Sequence, residues 1–95
     1  MKLIFYPPIS RKLGAKHQVS EQEVEEAFLN RTGKLAMELR PQNQGVNRRY
    51  WFISETDHGR RLKVVFAVDP KEHGPVIITA YEPNKMEEQL YARLQ

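Results

Sequence analysis

Apolar positions repeat with a helical period in the first third of the chain and alternate thereafter. Ser20 followed three residues later by Glu23 forms a capping box, and Val24, Ala27 and Phe28 then share one helical face. This predicts a helix from Glu21 to Asn30. Val19 can staple onto Val24 at its start, and Asn30-Arg31-Thr32-Gly33 supplies the stop. Upstream, Ser10-Arg11-Lys12-Leu13-Gly14-Ala15-Lys16-His17 reads as a short helix capped by Ser10, with Gly14 as its weak point.

The period then changes from helical to alternating. Leu35, Met37 and Leu39 fall on one face of a predicted strand, and Pro41 through Asn47 read as a polar loop. Tyr50-Trp51-Phe52-Ile53-Ser54 is dense in strand formers, Asp57-His58-Gly59 is turn chemistry, and Leu62, Val64, Phe66 and Val68 alternate after it. Val76 to Tyr81 is a further strand, stopped by Pro83. Its register stays open between two alternatives, one turning Ile78 and Ala80 inward and the other Ile77, Thr79 and Tyr81. Asn84 with Glu87 caps a last helix bearing Met86, Leu90 and Leu94 as a stripe.

The order is therefore two helices, four strands and a helix, with a further short strand available at Leu3 to Tyr6. Strands joined by short loops pair antiparallel, which predicts a two-layer α+β fold with helices packed on one face of a mainly four-stranded antiparallel sheet. At 95 residues the chain suits a single domain, residues 1–95, with one modest core. Function is then expected on the surface or in a shallow cleft.

Charge is segregated behind a net +3. Residues 1–20 carry +4, residues 21–30 carry −4, residues 31–63 carry +5 and residues 64–95 carry −2. Two basic blocks around an acidic helix can make a local positive field, although an ordinary solvated surface would read the same way. With no cysteine, thiolate catalysis, disulfides and cysteine metal sites are excluded. No apolar run is long enough to span a membrane, and Pro7-Pro8 cuts the first apolar stretch too short for a secretion signal. The expected location is the cytoplasm, with no membrane partner.

Catalytic patterns are sparse. The glycines are scattered rather than forming a phosphate loop, and His17, His58 and His73 lack metal-ligand spacing, so neither metal nor cofactor is expected. What remains is a basic sheet face. The alternation that turns Leu62, Val64 and Phe66 inward turns Arg61 and Lys63 outward. Thr79 and Tyr81 share that face in the first register, with Arg48, Arg49, Tyr50 and Phe52 nearby. Such cations bind phosphates and tyrosine stacks on bases, a mixture suited to single-stranded RNA. His17, next to Lys16, titrates near neutrality and can move a proton in phosphodiester cleavage while a cation stabilises the phosphorane. A histidine hydrogen-bonded between helices is the alternative reading.

Lys16-His17-Gln18-Val19-Ser20, then Glu23-Val24-Glu25-Glu26-Ala27-Phe28, then Gly59-Arg60-Arg61-Leu62-Lys63-Val64-Val65-Phe66 and Ile77-Ile78-Thr79-Ala80-Tyr81 resemble the BrnT-like toxins. These belong to the RelE-like ribonucleases of bacterial type II toxin–antitoxin systems. The resemblance spans about residues 13–90. It implies a metal-independent endoribonuclease in which the RNA 2′-hydroxyl attacks the adjacent phosphate and a cognate antitoxin or immunity protein covers the site. By position it implies Lys16, His17, Arg61, Lys63 and Tyr81 as catalytic candidates and Arg48, Arg49 and Arg60 as RNA-binding ones. Tyr81 departs from the pattern, which often has arginine there. The ending Thr79-Ala80-Tyr81-Glu82-Pro83-Asn84 also resembles sequences labelled as ADP-ribosyl-dinitrogen-reductase hydrolases. Such a hydrolase would need clustered carboxylates for metals, and the aspartates, Asp57 and Asp69, both fall in turns. A non-catalytic RNA-binding, immunity or regulatory protein would use the same charged face, and a homo-oligomer is left open.

Overall fold

A computed structural model describes residues 2–39 and 47–95. Most of the loop predicted from Pro41 to Asn47 lies outside them. The elements are α1 (Pro7–Lys12), a π-helical turn (Leu13–His17), α2 (Glu21–Asn30), β1 (Ala36–Met37), β2 (Arg49–Glu55), β3 (Arg61–Ala67), β4 (Val76–Tyr81) and α3 (Lys85–Arg93). The strands form one antiparallel sheet in the order β1-β2-β3-β4, so the predicted α+β architecture is observed.

Local sequence rules set the helix ends. At α2 the Ser20 hydroxyl accepts from the Glu23 amide while the Glu23 carboxylate accepts from the Ser20 amide, and α3 repeats this reciprocal cap with Asn84 and Glu87. The first helix starts earlier than the Ser10 cap predicts. Pro7 and Pro8 occupy its first turn, where proline's fixed φ fits and its missing N–H is not needed. Ser10 instead donates across to Glu21 at 2.5 Å. After Lys12 the coil widens into the π turn, which Gln18 closes in the left-handed region at φ 50°.

The core lies between the N-terminal helices and the sheet. Phe28 packs edge-on to Phe52 at 4.8 Å and against Phe66 at 5.2 Å, with Leu13, Val24, Ala27, Leu62, Val64, Ile77 and Ala80 buried in the same cluster. The predicted turn closes the β2–β3 hairpin, with Gly59 at φ 84° where a side chain would be strained. Neither of the two strict registers considered for β4 is observed. A bulge opposite Val65 and Phe66 offsets the alternation, so Ile77 and Ala80 are both buried while Tyr81 stands opposite Lys63. The predicted N-terminal strand reduces to a parallel bridge from Ile4 to Val76 along the outer edge of β4.

Two apolar stripes point the other way from expectation. Ala36 and Glu38 are buried, whereas Leu35, Met37 and Leu39 are exposed, because α2 covers β2 and β3 without reaching β1. In α3 the stripe Met86, Leu90 and Leu94 is likewise exposed. That helix presents Tyr91, Glu87 and Glu88 to the sheet, where Tyr91 meets Trp51, on the face opposite the one against Phe28. Among the described residues no helix is long and apolar enough to cross a membrane.

Candidate functional site

The β3–β4 pairing sets Lys63 and Tyr81 side by side, and α3 brings a carboxylate down onto both. The Lys63 ammonium donates to Glu87 at 2.9 Å and the Tyr81 hydroxyl donates to the same oxygen at 2.6 Å. Beneath them lies the Trp51 ring, 4.4 Å from the ammonium. Strand alternation predicts an exposed Lys63, but its exposure is 5%, since α3 covers this face. Burial works to raise the Glu87 carboxyl, and the hydrogen bonds from Tyr81, Lys63 and the Asn84 amide outweigh it, leaving the group below its ordinary value.

Arg61 lies on the same face and pairs with Glu88 through two hydrogen bonds of 2.7 and 2.8 Å, with Glu55 at 3.6 Å. Its side chain stays about half exposed, so it reaches solvent from within a network. Arg60 turns the other way. It bonds Glu23 and Glu82 and donates to the carbonyls of His17 and Gln18, tying the hairpin to the end of the π turn.

That turn aims the His17 ring at Tyr81, with centroids 5.5 Å apart. Burial first, then the charges of Lys16 and Lys12, push its pKa below the ordinary 6.5. The imidazole is therefore neutral at pH 7 and able to accept a proton. Lys16 is exposed beside it. The structure thus brings His17, Tyr81 and Lys63 together, with Arg61 on their face and Lys16 at the rim.

The three RNA-binding candidates do not gather. Arg49 pairs with Ala67 at one end of the hairpin and Glu55 with Arg61 at the other, a separation of about 20 Å at about 3.3 Å per residue. Arg48, at the Arg49 end, donates to the Met37 sulfur at 3.1 Å. Sequence reasoning missed the partners of the cations. Glu87 reads as a cap residue, although its position one turn from Tyr91 marks the face that α3 turns to the sheet. A cleft of about 810 Å³ beside Arg61 was also not visible, and the buried Tyr91 hydroxyl within it has no hydrogen-bond partner among the described residues. Burial raises that phenol, while the nearby Ile53 amide, outside bonding geometry, and the charges of Arg61 and Arg31 pull it down.

The ion pairs carry a pH signature. Glu88 is lowered first by its hydrogen bonds with Arg61; in Glu23 the Ser20 amide and Arg60 overcome the opposing effect of burial. Carboxyls lowered in the folded state stabilise it fully above their ordinary value of 4.5, and that contribution is lost as pH falls through the folded values. His17, lowered from 6.5, acts in the same direction, because its protonation is easier in the unfolded chain. Thermal unfolding is expected to show a lower Tm at about pH 3.5 than at about pH 7. An unchanged Tm would remove these pairs from the stability of the fold.

Among the described residues no group of three or more His, Asp and Glu side chains is placed to hold a metal ion. The chain matches no known family model, and no curated protein sequence matches it.

Proposed function

We propose that the chain is a metal-independent endoribonuclease toxin of the BrnT-like, RelE-like class, acting on RNA in the cytoplasm and neutralised by a cognate antitoxin or immunity protein. The observation that carries this reading is the His17 ring set 5.5 Å from that of Tyr81, with Lys16 exposed beside it and Arg61 on the face of Tyr81. His17 takes the proton from the 2′-hydroxyl as its oxygen attacks the adjacent phosphorus. The bond to the 5′-oxygen breaks, leaving a 2′,3′-cyclic phosphate, and the departing oxygen takes a proton from solvent water. Lys16 and Arg61, both reaching solvent, stabilise the phosphorane charge. Lys63 is a positioning residue, because it acts through the carboxylate that holds Tyr81.

Incubation of the purified protein with RNA in EDTA tests the proposal. Cleavage with cyclic-phosphate ends is expected, and a folded His17→Ala variant should lose about 10²–10⁴-fold in rate. The rate of the unaltered protein should rise with pH through a limb below 6.5, following deprotonation of His17. Intact RNA overturns the enzymatic reading. A second reading, a non-catalytic RNA-binding or regulatory protein, is favoured by the pairing of Arg60, Arg61 and Lys63 with carboxylates, which leaves them little free charge for a transition state. Tight, salt-sensitive binding of uncut RNA would select it. Metal-dependent release of ADP-ribose from a modified protein would instead select the hydrolase activity.

A further inference from the structure

The cations of the hairpin and those of the first helical segment are placed differently. Arg60, Arg61 and Lys63 each face a carboxylate. Lys12 and Lys16 are exposed, and among the described residues no carboxylate pairs with either. A basic segment without internal partners keeps its charge for an external one.

The π turn sets these two lysines against His17. Gln18 closes it by donating to the Leu13 carbonyl, a bond between residues i+5 and i where an α-helix would use i+4. One step earlier the same connection joins His17 to Lys12, so the turn that begins at Lys12 ends at the histidine, with Lys16 beside it. Had the α-helix continued, Lys16 would have closed on Lys12 and His17 would have been carried past it. Both ammonium charges reach the imidazole and lower its pKa. On the other side β4 packs against the turn, and the rings of Tyr81 and His17 are both half-buried there. Single-turn π insertions recur at functional sites, and here the insertion aligns a histidine with a lysine one turn away.

We propose that Lys12 is a phosphate-binding subsite: a single RNA strand lies along this face with one phosphate at Lys16 and His17, the next at Lys12, and a base against the Tyr81 ring. The inference rests on the ribonuclease reading for the kind of strand, and it adds a residue which that reading does not use. Chemistry selects the occupant. Lys12 and Lys16 are four residues apart, about 6 Å along the helix axis, which is close to the step between successive phosphates of an extended strand. Cations that track a backbone beside rings that take bases are the combination single-stranded nucleic acid requires. An acidic peptide would answer the charges and leave the rings unused.

Fluorescence anisotropy of the full chain with a labelled 2′-O-methyl-RNA oligonucleotide, between about 50 and about 200 mM salt, is the test. The methylated strand lacks the attacking hydroxyl and stays whole. Binding is expected, and Lys12→Ala and Lys16→Ala should each reduce the slope of log K against log salt by about 0.7, the value for one phosphate contact on a single strand. Lys12→Arg should keep the parent slope. So should Lys34→Ala, next to β1 at the opposite edge of the sheet. With ordinary RNA, Lys12→Ala should raise KM severalfold rather than lower kcat. No binding by the parent, a Lys12→Ala slope equal to the parent's, an equal loss in Lys34→Ala, or poly-glutamate held more tightly than the RNA overturns the subsite. If the methylated strand binds through Lys12 while ordinary RNA stays intact, the ribonuclease reading fails and the subsite stands. If Lys12→Ala cuts ordinary RNA with the parent's KM, the subsite fails and that reading stands.

Discussion

Phe28→Ala is expected to lose about 3–5 kcal/mol of folding stability, the cost of truncating a fully enclosed aromatic whose cavity cannot collapse. The side chain joins α2 to the sheet through two ring contacts, to Phe52 at an interplanar angle of 84° and to Phe66 at 63°. Both rings stand on rigid neighbouring strands, so neither can move into the vacated space. A domain of this length holds on the order of 5–14 kcal/mol in total, which leaves the variant marginal. Chemical denaturation should show the loss directly, and the melting temperature should fall by about 15 °C. A loss below about 1 kcal/mol would mean that α2 is not anchored through this residue.

The second large effect is electrostatic. Glu87→Ala removes the carboxylate shared by Lys63 and Tyr81 and strands the lysine ammonium under α3. Breaking one side of a buried pair costs about 3–5 kcal/mol, since the remaining charge is neither solvated nor compensated; Glu87 retains some exposure, so about 3 kcal/mol is expected. Replacing both partners with apolar residues, Lys63→Met with Glu87→Leu, should recover most of that loss. Urea midpoints for the single and double variants decide the matter. A single variant as stable as the parent would show that α3 lifts readily and that solvent reaches Lys63.

These two sites differ in how far the sequence revealed them. Phe28 was legible because its capping box and the helical spacing with Val24 are local, and local rules fixed the face that α2 buries. The hairpin was legible for the same reason, its turn residues lying between two alternating runs. Lys63 was misread as exposed because its burial depends on α3, which returns across the sheet from beyond Pro83. Leu35, Met37 and Leu39 carry a good inward-facing pattern, yet nothing in a single strand says how many strands the helix layer will cover. The β4 bulge escaped notice because a two-residue period cannot represent one extra residue. At the candidate site, the partnership of His17 with Tyr81 depends on the π turn, for which the sequence offers only Gly14 as a local mark.

Trp51 gives the protein an optical consequence. It is the single tryptophan of the chain, and its indole lies under the Lys63 ammonium with the Tyr91 ring 5.6 Å away. Tyr91 belongs to α3, and Lys63 is held where it is by a carboxylate of the same helix. Emission from one natural fluorophore therefore reports whether the C-terminal helix is docked, without any added label.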